Sequence, residues 1–83
     1  MKLVKHAKFR EEKFGGVLFE TRSEKVFALN PTAAAIVREI GAGRDEAALV
    51  DRLKNCFSGS PETVERESLA FIAALRKQGL LED

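Results

Sequence analysis

The residue types that carry catalysis and metal binding are sparse in this chain of 83 residues. It has one histidine, His6, and one cysteine, Cys56, too few for a His/Cys metal site. No serine or threonine lies near a suitable base in a nucleophile motif. The segments Gly15-Gly16 and Gly41-Ala42-Gly43 lack the lysine and the Ser/Thr of a phosphate-binding loop. We therefore interpret the protein as a non-enzyme and expect no cofactor and no metal.

Cellular location is indicated by the cysteine and by the N-terminus. Cys56 falls on the apolar side of a predicted helix beside Phe57, so we expect it to be buried as a small hydrophobic residue. One cysteine cannot form an intramolecular disulfide, and a free thiol suits the reducing cytosol. The N-terminus has no signal-peptide apolar region, and no run is long enough to span a membrane. We expect a cytoplasmic protein with no membrane contact.

The charge balance bears on possible partners. Fourteen basic and 13 acidic side chains give a formal net charge of +1. A nucleic-acid binder of this size normally has a clear basic surplus. The third predicted helix begins with Glu62, Glu65 and Glu67, which would repel phosphates. These acids are better explained as a solvated face that complements the helix dipole. Nucleic acid is therefore a disfavoured partner.

The elements that must position any site are set by a junction at residues 26–36. Residues 26–29 are strand formers, Asn30 is a strong N-cap, and Pro31 fits the first helical position. Three alanines then continue the helix at little entropic cost. The sequence thus predicts a strand that passes directly into a helix.

Further strands and helices complete one domain over residues 1–83. Strands are predicted around Phe9, at residues 17–21 and at residues 25–29, the last two as a hairpin. Helices are predicted at about residues 31–40, from Asp45 to about residue 57, and from Pro61 to Lys77. Residues 1–7 are expected to be a flexible lead-in. The fold class is α+β and winged-helix-like, with a small three-stranded antiparallel sheet followed by three helices.

The third helix has an unusually wide apolar arc. Val64, Ser68, Phe71, Ile72 and Leu75 cluster on one side, and three alanines extend the apolar surface the other way. Either the helix is packed between its neighbours, or one flank lines a groove for a partner. A single helix can do both.

Nearly the whole chain, about residues 8–82, resembles the PqqD-like family. The resemblance rests on Gly16-Val17-Leu18-Phe19, on the Leu-Asn-x-Thr-Ala-Ala-x-Ile string at residues 29–36, and on the Leu-x-x-x-Gly-Leu-Leu ending at residues 75–81. These small winged-helix-like domains serve as recognition elements for ribosomally synthesised and post-translationally modified peptides (RiPPs). The resemblance leaves the pathway of this chain unassigned.

The resemblance implies a peptide chaperone that binds the leader segment of a precursor peptide and presents it to a modifying enzyme, often a radical SAM enzyme. The leader would add as a strand to the edge of the third predicted strand and lie beside the third helix. Arg66 or Lys25 would meet acidic side chains of the leader. The implied peptide-binding residues are Lys25, Val26, Phe27, Ala28, Leu29, Arg66, Leu69, Ile72, Ala73 and Arg76. The flank of the helix that faces the peptide is undecided.

Two other functions are alternatives. A winged-helix DNA-associated regulator would need a basic stripe on the third helix, which its acidic start contradicts. A dimerisation module would pair the open strand edge with a second copy of the chain.

Overall fold

The computed structural model describes residues 1–57 and 59–82. Its main sheet and its three helices follow in the predicted order, and two short strands that were not predicted lie outside them. Three strands come first in the main sheet: β2 (Ala7–Glu12), β3 (Gly15–Glu20) and β4 (Lys25–Leu29). The helices α1 (Pro31–Gly41), α2 (Glu46–Cys56) and α3 (Pro61–Lys77) follow. Two short strands, β1 (Lys2–Leu3) and β5 (Leu81–Glu82), pair with each other near the chain ends. The predicted α+β fold is confirmed.

The main sheet is antiparallel, in the order β2-β3-β4. Leu18 lies in its middle, paired with Phe9 on β2 and with Phe27 on β4. Leu18 has no exposed surface, whereas its neighbour Phe19 is exposed on the opposite face. The period-2 alternation of a strand therefore places one face of the sheet on the helices and leaves the other open.

The strand-helix junction forms as predicted. The Asn30 side-chain oxygen accepts a hydrogen bond from the Ala33 N–H at 2.8 Å, and Pro31 occupies the start of α1. Gly15 lies against this junction with φ +142°, and a Cβ built on it would come within 2.2 Å of the Leu29 carbonyl oxygen. A side chain there would displace the end of β4, so glycine is required by both its conformation and the close approach.

The core lies between the sheet and the helices. Its largest fully buried apolar side chains come from all three helices, from β3 and from the segment after α3: Leu18, Ile36, Val37, Ile40, Leu49, Leu53, Ile72 and Leu80. Each such burial stabilises the fold by about 1.5–3 kcal/mol before entropic costs. Ile72 and Leu75 bring α3 into this core, which confirms the apolar stripe predicted for that helix.

A carboxylate ties α2 to α1. Glu39 on α1 is buried, and it accepts hydrogen bonds from Arg44 Nε at 2.8 Å and from Arg52 Nε. Burial by itself raises the pKa of Glu39, but the two guanidinium hydrogen bonds outweigh it and hold that pKa below its usual range.

Two sequence expectations differ from the structure. Residues 1–7 are not a loose lead-in: Lys2–Leu3 pairs with Leu81–Glu82, and the Val4 N–H donates to the Leu80 carbonyl at 3.0 Å. A two-residue strand whose partner lies at the other end of the chain leaves no periodic signal. The expectation that Cys56 is buried is wrong, because burial along α2 ends one turn earlier, at Leu53.

Within the described residues, no helix has the length and apolar character needed to cross a membrane.

Candidate functional site

The strand β4 forms one edge of the main sheet. The Thr21 N–H donates to the His6 carbonyl at 2.8 Å, which fixes the residues of β3 that face β2. Since hydrogen-bonded pairs alternate along antiparallel strands, β3 bonds to Lys25, Phe27 and Leu29 of β4. The N–H and C=O groups of Val26 and Ala28 therefore point to the open edge, with no strand beside them in the part of the chain described.

A groove of about 310 Å³ lies between this edge and α3. Its wall on the helix side is the stripe Phe71, Ala74, Leu75 and Gln78, which follows the i, i+3, i+4, i+7 spacing of one helix face. Ala74 is exposed and small, so the helix side chain does not fill the space in front of β4. We call this space the β4–α3 groove; its lining residues are Leu18, Phe27, Ala28, Leu29, Phe71, Ala74, Leu75, Gln78 and Leu80.

The β4–α3 groove is apolar. Gln78 is the only polar side chain among its lining residues in the described structure, and none of them is charged. Leu18, Leu75 and Leu80 form its floor and also belong to the core, which makes the floor rigid. A surface of this kind binds apolar side chains and offers no acid, base or nucleophile for catalysis.

A second cavity, of about 110 Å³, continues the groove towards the start of α1. Phe71 lines both cavities, so they are neighbours along α3. The remaining lining residues of this second cavity are Asn30, Thr32, Ala33, Ile36 and Glu67. We call it the α1 extension.

The predicted residues of β4 lie at the site. Phe27, Ala28 and Leu29 line the groove, and Val26 offers its backbone at the edge. Lys25 begins the strand and is exposed.

The predicted residues of α3 lie elsewhere on that helix. Ile72 has no exposed surface and belongs to the core, so it offers nothing to a peptide. Arg66, Leu69, Ala73 and Arg76 are exposed but are not among the lining residues of the groove. At 100° per residue they lie about 140–160° away from Phe71 around the helix.

The flank that carries those residues is the one nearest α2. Arg76 Nη1 lies 3.5 Å from a carboxylate oxygen of Glu46, and Lys54 Nζ lies 3.2 Å from a carboxylate oxygen of Glu65. We call it the α2 flank, and the opposite one the β4 flank. The structure brings the strand part of the predicted site together with the β4 flank and separates it from the α2 flank.

The groove residues that the sequence prediction missed are Leu18, Phe71, Ala74, Leu75, Gln78 and Leu80. The signal in the sequence was the helical spacing from Phe71 to Gln78 with a small residue in the middle. That spacing identifies a surface only once it is known which side of α3 faces β4.

Two solved structures with a similar fold are complexes with leader peptides. One is described as TbiB1 in complex with the TbiA(beta) leader peptide, with a TM-score of 0.86, 26% identity, and coverage of 99% of this chain and 95% of that one. Another is described as lasso peptide synthetase B1 complexed with the leader peptide, with a TM-score of 0.82, 26% identity, and coverage of 99% and 96%. No curated protein matches the sequence.

The family model that matches covers residues 15–81 and is described as coenzyme PQQ synthesis protein D (PqqD). The match spans β3, β4, all three helices and the start of β5, and it includes every residue that lines the groove. The chain belongs to the PqqD family.

Proposed function

We propose that this protein is a RiPP recognition element that binds the leader segment of a precursor peptide by strand addition to β4. The observation that carries the proposal is the open edge of β4, with the backbone groups of Val26 and Ala28 free, directly beside an apolar groove. A leader strand would complete the backbone pairing at this edge and place alternate side chains in the groove.

Each part of the site would contribute a different property. Backbone pairing with Val26 and Ala28 supplies a part of the affinity that is independent of the leader sequence. Apolar side chains in the groove supply selectivity, since each buried one gains about 1.5–3 kcal/mol before the costs of ordering the peptide. The rigid floor of Leu18, Leu75 and Leu80 lowers those costs on the protein side.

The family and the neighbouring folds support this proposal. Both neighbours described above were solved with a leader peptide bound, at a fold similarity that covers nearly the whole chain. The protein would act without turnover of its own and present the peptide to a separate modifying enzyme. A radical SAM enzyme as that partner is an inference from the family resemblance.

The test is a titration of the ¹⁵N-labelled protein with leader segments of precursor peptides encoded beside its gene, followed by NMR. We expect the largest shift changes at Val26, Ala28, Phe71, Ala74 and Gln78. Leu69 and Ala73, on the α2 flank, are the internal control and should change least. A titration in which every encoded leader leaves the β4 and α3 resonances unchanged would contradict the proposal.

Self-pairing is the second candidate function. The same open edge could pair with β4 of another copy, and the exposed Val26 and Phe19 side chains would extend the contact. Sedimentation velocity at several protein concentrations distinguishes the two functions. A dimer that persists in the presence of saturating leader peptide would favour self-pairing.

A further inference from the structure

A negatively charged side chain lies at one end of the groove. Among the described residues that line the β4–α3 groove and the α1 extension, Glu67 is the only one with a charged side chain. It lies one helical turn before Phe71, the residue that the two cavities share. A carboxylate is therefore placed at one end of a binding surface that is otherwise neutral.

Glu67 has no partner of opposite charge within residues 1–57 and 59–82. Its neighbour Glu65 pairs with Lys54 across to α2, while no lysine or arginine lies within 4 Å of the Glu67 carboxylate. Glu67 is also the seventh residue of α3, beyond the first turn in which the helix dipole favours an acid. Nothing in the fold of α3 requires a negative charge at this position.

The spacing between Glu67 and the groove matches the spacing of a strand. Four residues of helix rise about 6 Å, from Glu67 to Phe71. Two residues of an extended peptide span about 6.6–6.8 Å, which is the distance between successive side chains on one face. A strand added to β4 that puts one side chain beside Phe71 would put its next groove-facing side chain beside Glu67.

We propose that Glu67 is a specificity-determining residue that selects leader peptides with a lysine or arginine two residues away from an apolar anchor. This inference rests on the proposed leader-binding function and specifies which residue types the bound leader carries. The apolar anchor occupies the β4–α3 groove, and the basic side chain reaches the α1 extension. Glu67 would thus select a basic leader side chain, whereas Arg66 or Lys25 would select an acidic one.

The experiment is a selection from a displayed library of random ten-residue peptides on the immobilised protein. Three forms are compared: the wild type, Glu67→Lys, and Glu62→Lys, which reverses an exposed acid of α3 that lines neither cavity. Peptides selected by the wild type and by Glu62→Lys should carry Lys or Arg two positions from a large apolar residue. Peptides selected by Glu67→Lys should carry Asp or Glu at that position.

Affinities of the selected peptides complete the test. A wild-type peptide should bind Glu67→Lys about tenfold more weakly at low ionic strength, and the ratio should shrink as salt is added. Groove-binding peptides without a charge preference would overturn the role of Glu67 and leave the proposed function intact. Failure of the library and of every encoded leader to bind the wild type would instead overturn both.

The start of α1 offers a competing role for the carboxylate. Thr32 and Ala33 line the α1 extension with Glu67, and α1 has no acid in its own first turn. If Glu67 serves only to stabilise that helix start, Glu67→Gln will lower the unfolding temperature and leave the selected peptides unchanged. That result would overturn the proposal.

Discussion

The two flanks of α3 are both rich in small and apolar residues, yet they do different things. On the β4 flank, Phe71 and Ala74 face an open strand edge across a groove of about 310 Å³. On the α2 flank, Leu69 and Ala73 are exposed and do not line the groove, while Glu65 and Arg76 form ion pairs with α2. An apolar helix surface alone therefore does not identify a binding site. The neighbouring element must also leave an open groove in front of that surface.

The comparison also shows how one helix can pack in the core and line a binding groove at the same time. Ile72 and Leu75 are buried between the two flanks and anchor α3. The groove is thus built directly on the core, so a ligand in it would contact side chains that the fold already holds in place.

The largest effect is expected from filling the groove. Ala74→Arg puts a long charged side chain into the apolar space in front of β4, whereas Ala73→Arg puts the same side chain on the outside of the helix. Leader affinity should fall at least about 30-fold for Ala74→Arg, the range of an interface hot spot, and change less than about twofold for Ala73→Arg. Isothermal titration calorimetry measures both. Equal losses in the two variants would erase the distinction between the flanks.

A second effect concerns the backbone of the edge. Ala28→Pro removes an N–H that points away from β3, so the fold should survive while strand addition is blocked. We expect a loss of affinity of about tenfold, since one hydrogen bond contributes roughly 0.5–1.5 kcal/mol and the ring also obstructs the edge. Ala28→Val keeps the N–H and is the control. Circular dichroism must show both variants folded; a folded Ala28→Pro that binds like the wild type would remove Ala28 from the site.

A third prediction uses pH to test how Glu39, which ties α2 to α1, contributes to stability. The pKa of Glu39 is lowered in the folded protein, so its contribution to stability is present at neutral pH and is lost as the pH falls below the usual glutamate range near 4.3. Urea unfolding at pH 7 and at pH 3.5 should show that Glu39→Gln loses less stability on acidification than the wild type. Parallel losses in the two proteins would mean that Arg44 and Arg52 do not stabilise this carboxylate.

The smallest effect is expected on the α2 flank itself. Glu65→Gln breaks the exposed ion pair with Lys54 and should lower the free energy of unfolding by less than about 1 kcal/mol. Leader affinity should be unchanged within error, because Glu65 lies away from the groove. A marked loss of affinity would show that the two flanks are coupled through α3.

The strand-helix junction was predictable because its signals are local. Asn30 and Pro31 specify a helix start, and the strand formers before them specify β4, without reference to the rest of the chain. The same holds for the end of α3 and for the buried stripe through Ile72. The open edge of β4 was implied by the resemblance to the PqqD-like family, in which the leader adds to the edge of the third strand.

The groove itself could not be predicted in full because it depends on the placement of α2. Leu69 and Phe71 are equally plausible groove residues on a helical wheel, and only the packing of α2 shows which flank is left for β4. Glu67 could not be identified from the sequence for the same reason. In the sequence it is one of three acids near the start of a helix, whereas in the structure it lies at the end of a groove. Non-local packing determines both which flank of α3 forms the groove and where Glu67 lies.

The pairing of Lys2 with Glu82 determines how the domain can be attached to other molecules. A tether leaving from either end begins at nearly the same point, since directly paired residues in an antiparallel ladder lie about 4.5–5.5 Å apart. The adjoining Leu80 is part of the groove floor, so both ends lie close to one end of the binding surface. A peptide fused through a flexible linker would therefore experience a similar effective concentration at the groove whether it is fused before residue 2 or after residue 82.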